Sequence, residues 1–153
     1  IEAISSLQPD YYGGNMDVPD VAPGSIIYLP VNTEGGYLYL GDCHAIQGDG
    51  ELCGVALEIP ATVEIHIDLI KGHGNGWPQL ETEDKMMFIG SARPMEDAAR
   101  IAYRELVRWV AAETGQSESD AYMLLTMCGK VRLGNMVDPK YSLAAGIEKK
   151  YLK

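Results

Sequence analysis

The chain has 153 residues, of which 46% are hydrophobic and 22% charged, and it carries a formal net charge of −10. This length suits one domain or a large piece of a longer protein, and the composition excludes a disordered chain. The acidic balance repels phosphate and excludes nucleic acid and anionic membrane as partners, while leaving a small neutral molecule unaffected.

In chain order, residues 1–24 are rich in turn formers (Pro9, the GGN at 13–15, Pro19, Pro23, Gly24) and read as an irregular lead-in. Residues 26–31 (IIYLPV) form a short apolar strand whose Pro30 marks an edge or bulge. After a turn at 32–36, residues 37–47 predict a second strand, GDG at 48–50 a hairpin turn, and residues 51–59 the returning strand. Residues 62–70 (TVEIHIDLI) alternate cleanly. Val63, Ile65, Ile67 and Leu69 share one face, and Glu64, His66 and Asp68 the other. The GHGNGWP loop holds His73, read as a loop histidine, and residues 86–90 (MMFIG) predict one more strand.

The character changes at Ser91. Pro94 sits where helices start, Glu96 and Asp97 suit the positive end of the helix dipole, apolar residues recur at helical spacing to Val110, and Gly115 ends the run. Ser117 with Asp120 predicts an N-cap for a second helix, stopped by Gly129. Residues 131–137 are strand-like, and the tail from Asp138 reads as a closing helix turn. The predicted fold class is therefore α+β: an antiparallel, jelly-roll-like β-sandwich over residues 1–90, then a smaller helix-helix-strand portion over 91–153 packed on it as one continuous unit. No internal repeat is expected.

Three cysteines, Cys43, Cys53 and Cys128, without Cys-x-x-Cys spacing, argue against a disulfide framework and favour a reducing, cytoplasmic setting. No apolar run approaches the ~20 residues of a membrane span, and no signal peptide is visible.

Chemistry concentrates in residues 41–51, GDCHAIQGDGE. Asp42 and His44, two apart on a strand, point the same way and offer an oxygen and an imidazole nitrogen to one metal ion. The face of Glu51 depends on the turn. A two-residue turn at Asp49-Gly50 puts it with His44, and a three-residue loop puts it opposite. An exposed hairpin with incidental polar residues gives the same spacing. GGNMD at 13–17 offers Asn15 and Asp17 to a site wall, or is a plain turn. Glu64, His66 and Asp68 read equally as a metal face or as the solvated side of a strand. Cys43 should face away from His44, which argues against a Cys–His nucleophile.

Taken together, GGNMD, the strand ending in YLPV, GGYLYLGDCHAIQGDGE and Glu58 resemble the acetamidase/formamidase family. The resemblance is most specific over residues 11–58. It implies hydrolysis of a small amide such as formamide or acetamide to carboxylate and ammonia, a bound divalent metal, zinc by expectation, and assembly into homo-oligomers. It implies Asp42 and His44 as metal ligands, Glu51 as the proton carrier, Asp49 as an orienting or liganding alternative, and Asn15 and Asp17 as substrate-side wall. Family members are longer, with an N-terminal half before GGNMD. The chain, starting at Ile1 without a methionine, is thus expected to be the C-terminal portion, completed by that half or by a second polypeptide. Two alternatives stand beside this reading: a non-catalytic β-sandwich binding module with a structural metal site, and a relative acting on a lactam or other amide.

Overall fold

The computed structural model describes residues 3–72 and 74–152; Ile1 and His73 lie outside the described residues. The sheet is built from β1 (Ile26–Tyr28), β2 (Gln79–Glu81), β3 (Lys85–Ala92), β4 (Lys130–Leu133) and β5 (Tyr141–Glu148) in the order β1-β2-β3-β5-β4, with every pairing antiparallel. The central pair runs in full register from Lys85↔Glu148 to Ala92↔Tyr141. Because β3 and β5 come from opposite sides of the boundary expected near residue 90, both portions share one sheet. No helix among the described residues is long and apolar enough to cross a membrane.

Period-two alternation explains how the sheet is buried on both faces. Phe88 from β3 and Leu143, Ala145 and Ile147 from β5 face the helices α1 (Met95–Thr114) and α2 (Glu118–Cys128). Met87, Ile89 and Ala144 face the other way beside Leu80 and Ile27 of the same sheet, and pack with Val18 and Met16 of the lead-in. α1 lays Ala98, Ala102, Leu106 and Val110 onto the sheet, all fully buried. Gly90 permits this approach, since a Cβ there would overlap the Ala98 carbonyl and lie 2.9 Å from the Ala102 nitrogen. The helix ends follow the sequence signals. Glu96 and Asp97 occupy the first turn of α1, and Gly115 closes it in the left-handed conformation at φ 69°. The Ser117 hydroxyl accepts from the Asp120 amide at 3.1 Å to cap α2.

The α+β class holds, one expectation is corrected, and the sandwich is not formed by the described residues alone. The tail is not a closing helix turn. Residues 141–148 are an interior strand, paired with both β3 and β4, and only Lys149–Tyr151 form a short 3-10 helix. Nor do the described residues form a sandwich, since the sheet is single and open. The stretches 37–47, 51–59 and 62–70 form no strand, and the first two turn through left-handed backbone at Asp42, Glu51 and Gly54. Residues 43–46 and 57–59 approach as a loose antiparallel pair, through Ala45 N–H to Leu57 O at 2.9 Å and Ile59 N–H to Cys43 O at 3.0 Å. Their apolar side chains lack a facing layer: Tyr37 is 87% exposed, Tyr39 86% and Ile67 67%. A strand pattern becomes a sheet only when another strand takes its backbone groups and another layer its apolar face.

A polar clasp ties the lead-in to the loop between β4 and β5. The tripeptide Gly-Asn-Met occurs twice, at 14–16 and 134–136, each time followed closely by an aspartate, Asp17 or Asp138. The two copies exchange hydrogen bonds. Asn15 Nδ2 donates to Asp138 Oδ2 at 2.9 Å, and Asn135 Nδ2 donates to Asp17 Oδ2 at 3.1 Å and to the Asn15 carbonyl at 3.2 Å. Asn135 is fully buried, its Oδ1 accepts from the Asp138 amide, and the Ser142 hydroxyl beneath it donates to the Met16 carbonyl.

Two variants test this architecture. Gly90→Ala should lower unfolding free energy by about 1–3 kcal/mol or more through overpacking against α1, read from the urea midpoint; an unchanged midpoint would contradict the close helix–sheet approach. Asn135→Ala strips partners from several buried polar groups and should cost about 1–3 kcal/mol. In a double-mutant cycle with Asn15→Ala it should couple by roughly 0.5–3 kcal/mol, because both residues serve one network; strict additivity would show that the clasp is not one unit.

Candidate functional site

Three segments meet at one imidazole. The first is the lead-in with Asp17, the second the 42–58 stretch with Asp42, His44, Gln47, Glu51 and Glu58, and the third the 134–138 loop with Asp138. His44 has a side chain only 10% exposed, and its Nε2 lies 3.2 Å from Asp42 Oδ1, 3.1 Å from Glu58 Oε1 and 3.9 Å from Glu51 Oε1. Its Nδ1 is 2.8 Å from Gln47 Oε1. The Gln47 amide nitrogen in turn reaches the Asp17 carbonyl at 2.6 Å and the Gly134 carbonyl at 3.1 Å.

Asp42 and His44 therefore do converge, but not as neighbours on a regular strand. Asp42 sits at φ 61°, outside any strand conformation, and curls back toward the ring. Neither hairpin register considered for Glu51 is adopted. The bridge pairs His44 with Glu58, and the intervening loop turns through Gly50 at φ 87° and Glu51 at φ 46°. The Gly50 amide reaches out to the Leu133 carbonyl and Met136 N–H donates to the Gly50 carbonyl, which pins the loop to the β4–β5 connection and buries Glu51. The non-glycine residues at positive φ among the described residues are Asp17, Asp42 and Glu51, each a carboxylate of this cluster. Left-handed backbone is uncommon for such residues and persists where the surroundings impose it.

Two donor sets result, Asp42 with His44 and Glu58, and Asp17 with Glu51 and Asp138, the oxygen and nitrogen atoms within each lying within 4.8 Å of one another. This density of negative charge is visible in the proton affinities. Burial, then the charge of Glu51 and the contact with Asp138, push the Asp17 carboxyl up to about 7. Burial raises the Glu51 carboxyl as well. His44 opposes that rise, and Asp138, Asp42 and Glu58 add to it. For His44 burial works toward the neutral ring, but the Gln47 hydrogen bond and the charges of Asp42 and Glu58 outweigh it, and the ring's pKa is raised. A divalent cation suits these donors.

The remaining sequence candidates fall differently. Asp49 lies in neither set; Arg132 holds it at 2.9 Å and also binds Asp20 at 2.7 Å. The Asn15 amide is occupied by Asp138. Glu64, His66 and Asp68 stay on the exposed extended stretch, and Cys43 is a free thiol. Gln47, Glu58, Asn135 and Asp138 were not read as site residues. Glu58 and Gln47 lay inside the resembling segment, and the duplicated Gly-Asn-Met was the one local signal pointing to Asn135 and Asp138.

A profile of the Acetamidase/Formamidase family matches residues 2–145. An acetamidase from Mycolicibacterium smegmatis is 34% identical over 125 residues, which is 80% of this chain but 28% of that protein. A formamidase from Methylophilus methylotrophus is 40% identical over 72 residues, 46% of this chain and 17% of that protein. Among solved structures, an acetamidase from Yersinia enterocolitica superposes with a TM-score of 0.97 at 57% identity, over 100% of this chain and 46% of that one. An acetamidase from Bacillus halodurans gives 0.93 at 34% identity, over 99% of this chain and 51% of that one. The chain thus spans about half the length of these structural relatives and less of the curated ones. By the extent of the profile match and the shared fold, it belongs to the acetamidase/formamidase family.

Proposed function

We propose that this chain is the C-terminal portion of a metal-dependent hydrolase that converts a small aliphatic amide of the formamide or acetamide class to carboxylate and ammonia. The observation that carries the reading is the buried Glu51 carboxyl facing the His44 ring inside a convergent carboxylate cage, in a chain whose relatives bear the names acetamidase and formamidase. Asp42, His44 and Glu58 would hold the ion, zinc by the mix of oxygen and nitrogen donors. Zinc, when bound, supplies positive charge that polarises an amide carbonyl and acidifies water.

The chain's own groups do the rest. Burial gives Glu51 the raised proton affinity that suits a general base, able to take a proton from attacking water and deliver it to the departing nitrogen. Asp17, with its carboxyl near 7, offers a donor or an acceptor to the substrate amide. Asn15, tied to Asp138, shapes the wall beside it.

One side of the cage is open: the side chains of Asp42 and Glu58 are 51% and 48% exposed. The apolar residues of 37–70 border the same opening in sequence. An N-terminal half or second polypeptide would supply the missing layer, turning the open sheet into a sandwich and closing the pocket, with homo-oligomers built from the completed unit. Free cysteines suit work in the cytoplasm.

Ammonia release from formamide and acetamide should be abolished by a chelator and restored by zinc; turnover that survives complete metal removal would refute the metal-dependent mechanism. Glu51→Gln should retain zinc by elemental analysis while activity falls about 10²–10⁴-fold; parallel loss of zinc would make Glu51 a ligand instead. Residues 37–70 should exchange amide hydrogens rapidly in this chain alone and slowly once the covering polypeptide is present; equal rates would exclude the added layer.

A further inference from the structure

We propose that Gln47 is a positioning residue that fixes the tautomer of His44, placing the proton on Nδ1 and leaving the Nε2 lone pair to face the carboxylate cage. What each atom is able to donate fixes the orientation of both side chains. The Gln47 amide end at 2.6 Å from the Asp17 carbonyl and 3.1 Å from the Gly134 carbonyl faces two acceptors that have no proton to give. It must be the NH₂ group. The reversed amide would set its oxygen against two carbonyl oxygens at those distances. The opposite end, 2.8 Å from His44 Nδ1, is then the amide oxygen, which only accepts. His44 Nδ1 must therefore carry a hydrogen, and the proton that Nε2 shares with Glu58 at 3.1 Å and Asp42 at 3.2 Å is the one the ring gives up when it becomes neutral or takes a cation.

Both carbonyls are fixed by the fold. A side chain at Gly134 would overlap the Ser142 hydroxyl and the Met16 carbonyl, so this backbone is held where three segments touch. Asp17 is held by the Asn135 amide. Gln47 thereby converts the closure of the lead-in onto the 134–138 loop into a chemical instruction for His44. The consequence for zinc rests on the proposed hydrolase reading; the tautomer does not.

Long-range ¹H–¹⁵N correlation spectra of the metal-free protein at alkaline pH, with the His44 ring assigned by difference from His44→Gln, should show the Nδ1–H pattern. An Nε2–H pattern overturns the proposal without needing any Gln47 variant. Gln47→Met keeps the size of the side chain and deletes its amide. It should shift His44 away from Nδ1–H and weaken zinc, measured by competition with a chromophoric chelator, by roughly 10–100-fold. Unchanged zinc affinity would reduce Gln47 to a loop staple and overturn its positioning role. Failure of amide hydrolysis with an Nδ1–H ring would count against the catalytic reading alone.

Discussion

The constraint on which the rest depends is the crowding of five carboxyl groups around one buried imidazole. Asp17, Asp42, Glu51, Glu58 and Asp138 gather about His44 with no lysine or arginine in either donor set. Like charges this close cannot all stay ionised, and the protein's own answer is to raise proton affinity at Asp17 and Glu51 and favour the charged form of His44. Such an arrangement has poor electrostatic energy by itself. It also holds three non-glycine residues in left-handed backbone. Local cost of this kind is retained where the site has a task, and a cation is the simplest agent that reverses its sign.

The fold sustains the crowding by separating support from chemistry. The central β3–β5 pair, with α1 on one face and Met16 and Val18 on the other, is a buried scaffold needing nothing further. From it the lead-in and the β4–β5 connection project to a common edge, where the paired Asn–Asp exchange locks them. The 42–58 loop is then hung on that edge through Gly50 and Gln47. Asp49, which by composition belongs with the acidic motif, instead pairs with Arg132 and serves as an outer tether.

How much of this was legible follows from the range of the interactions. Local signals were readable: Gly115 and the Ser117–Asp120 cap mark helix ends through contacts only a few residues long. The interior strand β5 was not, because YSLAAGIE is small and buried on both faces, so it shows no alternation and no bulky β-branched run. The stretch 62–70 erred the other way, with perfect alternation and no strand among the described elements, because alternation records the need for a partner rather than its presence. At the site, Asp42, His44 and Glu51 were readable as a dense motif, but the way they meet was not. Positive φ at Asp42 and Glu51, and the reach of Gly50 to Leu133, depend on residues some eighty positions away.

The position of the site relative to the uncovered stretch links the two halves of the molecule. Asp42 precedes, and Glu58 lies within, the loose pair of segments at 43–46 and 57–59, whose Ile46 and Leu57 remain exposed. Whatever covers those apolar residues must also restrict the motion of the two half-exposed carboxylates they flank. The inner side of the cage, with buried Glu51 and half-buried Asp17 and Gln47, is fixed by this chain's scaffold, while the open side would gain its rigidity from the proposed covering layer. A ligand set divided in this way requires each part to be in place before all donors hold their geometry, since a few tenths of an ångström separate a donor set that fits an ion from one that does not. If the proposed function holds, hydrophobic cover and metal affinity would be two readings of one folding event, and the exposed tyrosines of residues 37–40 would be as relevant to the chemistry as the carboxylates themselves.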